Sequence, residues 1–202
     1  DWRYEAGRVC GAGVRIDLRG TPFDNPVLGV AAAAAGAALA AAGIDAAPLE
    51  GAAAGFERLP HRQQRVAEID GVTFIDDSKA TTLAALTAGI AMAPGPVRLI
   101  AGGRLKERDL DGPKIMLSKK TLAVYLIGES AEVLDEAWRD AVPCRRCGTL
   151  EEAVAQAWQD ARKGETILLS PGCASFDQFR GYDDRGRRYQ VFIQQLNSRG
   201  RL

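Results

Sequence analysis

Val72-Thr73-Phe74-Ile75-Asp76-Asp77-Ser78-Lys79-Ala80-Thr81-Thr82 is an apolar, β-branched run that breaks abruptly into charge and hydroxyls. An alanine-rich helical pattern follows it, so the stretch reads as strand, tight loop and helix. Asp77 or Ser78 is placed to cap that helix. The free N–H groups of its first turn, with Lys79 and the two threonine hydroxyls beside them, would make a pocket for a phosphate or carboxylate. An ordinary N-cap beside a solvated lysine is the competing reading of the same residues.

Upstream, Val66 to Ile69 and Val72 to Ile75 are joined through Asp70-Gly71, a two-residue hairpin signal. Downstream come helix Leu83 to Met92, strand Val97 to Ala101, loop Gly102-Gly103-Arg104-Leu105-Lys106, and a polar helical piece from Leu110 to Leu117. Strand Leu122 to Ile127, helix Ala131 to Ala141, a short strand near Pro143 to Arg146, helix Leu150 to Arg162, strand Thr166 to Leu169 and a long C-terminal helix complete the pattern. Strands alternating with helices predict an α/β fold: a Rossmann-like, mostly parallel sheet with helices on both faces and an antiparallel edge hairpin.

The first 57 residues differ. Val14 to Leu18 reads as a half-exposed strand, Ala31 to Ala42 as a buried helix and Ala46 to Gly55 as a weaker one. One strand and two helices cannot close a core, and the chain opens on Asp1 rather than methionine. Residues 1–57 are therefore expected to be the end of a domain whose main part is missing. Pro60 then breaks the pattern, and 58–202 forms the second domain.

Composition narrows the function. The chain has 202 residues, with 26 basic and 26 acidic side chains, and 47% of them are hydrophobic. That is a globular composition with room for a core. Zero formal charge gives no reason to expect nucleic acid, and no apolar run is long enough and free enough of glycine and charge to span a membrane. Four scattered cysteines fit a reducing, cytoplasmic setting. Cys144-Arg145-Arg146-Cys147 has the spacing of a redox motif or half a zinc site, but the sole histidine is His61 and no second close cysteine pair exists. Chance spacing on a short strand is the simpler reading.

In sheets of this kind ligands gather beyond the carboxyl ends of the strands. Three loops there carry suggestive chemistry: 76–82, 102–106 and Ser170-Pro171-Gly172-Cys173-Ala174-Ser175-Phe176-Asp177-Gln178-Phe179. Each follows an apolar strand and offers cations, hydroxyls or glycines. A solvated lysine is the rival reading for Lys106, and a helix cap for Ser175. No G-x-G-x-x-G fingerprint and no G-x-x-x-x-G-K-[ST] phosphate loop occurs, so a nucleotide would be held mainly by something outside this chain.

Leu59-Pro60-His61-Arg62, Asp77-Ser78-Lys79-Ala80-Thr81, Gly102-Gly103-x-x-Lys106 and Ser170-Pro171-Gly172-Cys173-Ala174-Ser175, with Arg185-Gly186 behind them, resemble in order and spacing the C-terminal part of a Mur ligase. The type approached is the MurD-type ligase that joins glutamate to UDP-N-acetylmuramoyl-L-alanine. The resemblance implies an ATP- and Mg2+-dependent, cytoplasmic, monomeric enzyme of peptidoglycan synthesis. Such an enzyme activates the substrate carboxylate as an acyl phosphate, which the glutamate amine attacks. Residues 1–57 would be the end of the central ATPase domain and 58–202 the glutamate-binding domain. By position, Lys106, Thr81, Ser175 and Tyr182 would hold glutamate, and His61, Arg62, Asp77 and Lys79 would form this domain's side of the ATP site. Asn25 lies where the family has an adenine-contacting His-Asn-x-x-Asn, which is degraded here. No catalytic residue is implied within this part, and alone it is expected to be inactive. Thr82, where the family usually has asparagine, and Glu107-Arg108-Asp109-Leu110 depart from the pattern. They leave open L- instead of D-glutamate, or a folylpolyglutamate-synthase-like substrate; a non-enzymatic anion-binding module is the reading from another class.

Overall fold

A computed structural model describes residues 1–199. The chain divides into two compact units, Asp1–Arg58 and Leu59 onward.

In the first unit, β1 (Arg3–Glu5), β2 (Arg8–Gly11) and β3 (Val14–Asp17) form an antiparallel meander. β1 and β2 correct the expectation of a single strand. Their turns are Ala6-Gly7 and Ala12-Gly13, in which all four residues adopt positive φ. That is the geometry of a tight hairpin, which alanine signals only weakly. Helix α1 (Pro26–Ala41) begins five residues before the alanine run, with Pro26 in its first turn and Asn25 as its cap. The Asn25 side chain accepts from the N–H groups of Val27 and Leu28 and donates to the Pro22 carbonyl. With α2 (Leu49–Ala54), these elements enclose a core of Val9, Ile16, Leu18, Ala32, Ala33, Ala46 and Ala53. The unit thus does close a core, because the extra strands supply a face for the alanine helix.

The second unit is a six-stranded sheet of order β4-β5-β9-β6-β7-β8, as the alternation predicts. β4 (Gln64–Ile69) pairs antiparallel with β5 (Val72–Asp76), and Asp70 and Gly71 turn between them at φ 51° and 75°. The other strands, β6 (Val97–Gly102), β7 (Thr121–Ile127), β8 (Cys144–Gly148) and β9 (Thr166–Leu169), run parallel to β5. Period-two alternation divides the sheet's apolar residues between two cores. Leu99, Ala101, Val124, Leu126 and Leu168 pack under α3 (Leu83–Met92), α4 (Lys114–Lys120) and α5 (Ala131–Trp138). Phe74, Ile100, Tyr125, Ile167 and Leu169 pack under α6 (Leu150–Asp160) and α7 (Tyr182–Arg199). Burying side chains the size of Trp138, Phe74 and Tyr125 stabilises the fold by roughly 1.5–3 kcal/mol each. Cys144 belongs to the first core and Cys147 to the second, so they face opposite sides of the sheet. Burial pushes both thiols up to about 11, which makes them packing residues rather than a reactive pair.

The strand order positions the site. β9 lies between β5 and β6, so the loops that follow these three strands emerge side by side from the centre of the sheet.

Candidate functional site

The three loops are stitched together by backbone. Gly172 donates to the Ala80 carbonyl at 2.9 Å, and Arg104 and Ala174 exchange both their hydrogen bonds at 2.8 and 3.0 Å. Gly102 and Gly103 make this approach feasible at φ 119° and 128°, because a Cβ on Gly103 would collide with the Ala174 carbonyl.

Helix α3 starts at Leu83, and its cap is Thr82, whose hydroxyl accepts from the Ala85 N–H; neither Asp77 nor Ser78 serves. The loop has the length that the sequence reading gave it, since α3 spans Leu83–Met92 as expected, but Asp76 and Asp77 are both buried. Asp76 is wholly buried, accepting from the Ser78 N–H, from Gln190 and from His61, whose Nδ1 lies 2.7 Å from Oδ2. Asp77 accepts from the Gln63 N–H at 3.1 Å and the Ser170 hydroxyl at 2.8 Å. Burial pushes its carboxyl up to about 6, against the opposing pull of those donors. The expected anion pocket at the α3 N-terminus is also altered, since the Glu107 carboxylate accepts from the Leu83 N–H at 3.1 Å. Lys79 stays outside it, with its ammonium 3.8 Å from the centre of the Tyr182 ring, and the His61 ring meets the same tyrosine edge-on.

Among the described residues, the Lys106 ammonium, the hydroxyls of Thr81 and Ser175 and the Arg62 guanidinium make no hydrogen bond or ion pair. Lys106 and Arg62 are exposed, Thr81 is half-buried and Ser175 is buried. Each loop therefore contributes one unengaged donor: Thr81, Lys106 and Ser175. His61, Asp77, Lys79 and Tyr182 are brought together too, but held by internal partners. Sequence reasoning placed Asp76, Ser170 and Arg185 in its loops and motifs but gave them no part in this framework, and it missed Gln190. Arg185 had a signal: with Tyr189, Ile193 and Leu196 it lies on the buried stripe of α7, where an arginine is out of place.

Residues 61–173 match the family model described as Mur ligase, glutamate ligase domain. The chain is 44% identical over 145 residues to the UDP-N-acetylmuramoylalanine--D-glutamate ligase of Nitratidesulfovibrio vulgaris, covering 72% of this chain and 34% of that protein. It is 42% identical over 166 residues to the enzyme of the same name from Chlorobium limicola, covering 82% and 36%. The chain thus spans about a third of the length of the curated relatives it matches. Among solved structures it shares its fold with MurC, the UDP-N-acetylmuramate-alanine ligase of Thermotoga maritima. That match has a TM-score of 0.62 at 15% identity and covers 96% of this chain and 45% of that one. E. coli FolC in complex with ADP is similar at TM-score 0.59 and 22% identity, covering 96% and 46%. The fold, the order of the motifs and these matches agree: the chain belongs to the Mur ligase family, with its glutamate ligase domain matched over residues 61–173.

Proposed function

We propose that this chain is the C-terminal part of a cytoplasmic ligase that adds D-glutamate to UDP-N-acetylmuramoyl-L-alanine in peptidoglycan synthesis. The observation that carries this reading is the set of unengaged donors on three adjacent loops, in a chain 44% identical to a ligase of that name. An ammonium and two hydroxyls suit an acidic amino acid: Lys106 with Thr81 holds one carboxylate, and Ser175 meets the other. Fixing both carboxylates orients the amine for attack on a carboxylate activated by phosphoryl transfer from ATP. Tyr182 walls the pocket. The D over the L form rests on the relatives' names, and the folylpolyglutamate alternative has support only at the level of fold.

Residues 1–57 are assigned to the end of the ATPase domain and 58–202 to the glutamate domain. For ATP, the chain offers a partial surface. The sequence has no phosphate loop, and the described residues hold no cluster of three or more side chains suited to a metal. Mg2+ and the phosphates would be held mainly by the rest of the enzyme. Arg62 is free to meet a phosphate, while Lys79 must leave the Tyr182 ring to do so. The 202-residue chain alone is accordingly expected to lack ligase and ATPase activity.

The test is turnover by the complete ligase with UDP-N-acetylmuramoyl-L-alanine, ATP and each glutamate enantiomer separately. Product with D-glutamate is expected. Product with L-glutamate alone would overturn the stereochemical assignment, and none with either would overturn the substrate.

A further inference from the structure

We infer that Arg185 is a positioning residue, a buried guanidinium clamp that sets the spacing of the three substrate-facing loops. The inference deepens the proposed function and rests on it for the identity of the ligand. Arg185 has no exposed surface. Its Nε donates to the Ser78 hydroxyl at 3.0 Å and its Nη2 to the Ser78 carbonyl at 2.8 Å; Nη1 and Nη2 reach the Cys173 carbonyl at 3.2 and 3.1 Å. The Ser78 hydroxyl in turn donates to the Tyr182 carbonyl at 2.7 Å. A Cβ on Gly103 would stand 3.3 Å from Nη1, so the third loop passes directly over the same group.

These contacts lie two or three residues from each proposed donor. Ser78 precedes Thr81 by three residues, through Ala80, whose carbonyl takes the Gly172 N–H. Cys173 precedes Ser175 by two, through Ala174, which pairs with Arg104 two residues before Lys106. One rigid fork thus fixes Thr81 and Ser175 directly and Lys106 through Ala174.

The partners of Arg185 tie it to the loops rather than to a countercharge. Among the described residues no carboxylate lies within ion-pair distance of Arg185, and its acceptors are two carbonyls and a hydroxyl. Burial lowers its pKa to about 10, which still leaves it charged at neutral pH. Removing the guanidinium would leave the Ser78 and Cys173 carbonyls without these donors, and both lie in the loops. A planar five-donor fork that spans two loops has no apolar substitute, and lysine cannot reproduce it.

Two readouts on Arg185→Lys and Arg185→Met test this. In the 202-residue chain, amide hydrogen exchange at Gly172, Ala174 and Arg104 is expected to accelerate at least tenfold, with Leu99 and Leu168 in the sheet unchanged. In the complete ligase, KM for glutamate is expected to rise roughly ten- to hundredfold, with KM for ATP within about twofold. The lysine variant retains a cation and serves if the methionine variant does not fold. Unchanged loop exchange, equal acceleration in the strands, or an unchanged glutamate KM would each overturn the inference. An inactive wild-type ligase would instead overturn the proposed function, leaving the exchange data to decide the clamp alone.

Discussion

The two ends of the six-stranded sheet both carry charged side chains, and they use them differently. At the amino end, charge meets charge. Arg98 pairs with Glu165 at 2.6 Å and donates to the Tyr125 hydroxyl, which donates to Asp160, and Arg145 pairs with Asp160 at 2.7 Å. Two cations and two anions close on themselves, and Tyr125, pushed up to about 12 chiefly by burial, stays a donor. At the carboxyl end, Asp77 and Arg185 are turned onto amides, hydroxyls and carbonyls, while Lys106 and Arg62 have no partner among the described residues. The amino-end groups close on one another; at the carboxyl end Arg104 pairs with Glu129 at 3.1 Å, while Lys106 and the Thr81 and Ser175 hydroxyls stay unengaged among the described residues. Under the proposed function, an internal partner for Lys106 would take it from the ligand.

Backbone substitution should break this contrast most strongly. Gly103→Ala places a Cβ at φ 128° against the Ala174 carbonyl and should cost about 3 kcal/mol or more. Gly164→Ala at the amino end, at φ 89° with open space around it, should cost only about 1 kcal/mol. Urea unfolding of the two variants measures the difference, and equal losses would show that the loops are not closely packed.

Next comes the amino-end network. Arg98→Met leaves Glu165 and Asp160 short of a cation and should destabilise by on the order of 2 kcal/mol, without altering glutamate KM in the complete ligase. A change in KM would mean that the two ends are coupled.

A comparable effect, spread over pH, should come from Asp77. Its folded carboxyl titrates at about 6 against an ordinary 3.8, so the folded state binds the proton more tightly than the unfolded chain. The stability this group contributes is fully present below about pH 4 and lost as pH rises through about 6, by an amount on the order of 3 kcal/mol. Asp77→Asn removes the titration. The stability of wild type relative to the variant should therefore fall between pH 4 and 6, and parallel curves would show that Asp77 is not desolvated.

Much of this contrast could be read in the sequence, and what escaped has physical causes. Strands β5, β6, β7 and β9 are mostly apolar runs that end at glycine, aspartate or serine, with Arg98 near the start of β6, which is how parallel strands covered on both faces look. The Asp70-Gly71 hairpin announced itself through residues that favour positive φ. The hairpins at Ala6-Gly7 and Ala12-Gly13 did not, since alanine seldom adopts that conformation. The unengaged donors Lys106, Thr81 and Ser175 were legible because their residue types stand in motifs. Their support was not: whether Asp77 caps a helix or Arg185 bridges two loops depends on contacts between residues more than ninety positions apart. Glu107 at the α3 N-terminus was visible as a departure from the family, but its partner Leu83 was not.

The most direct test of the central claim is the kinetics of Lys106→Ala in the complete ligase. Loss of one charge-assisted hydrogen bond is worth about 1.5–3 kcal/mol, so KM for glutamate should rise roughly ten- to hundredfold while KM for ATP stays within about twofold. An unchanged glutamate KM would contradict the account, because it would place the amino acid away from the three loops.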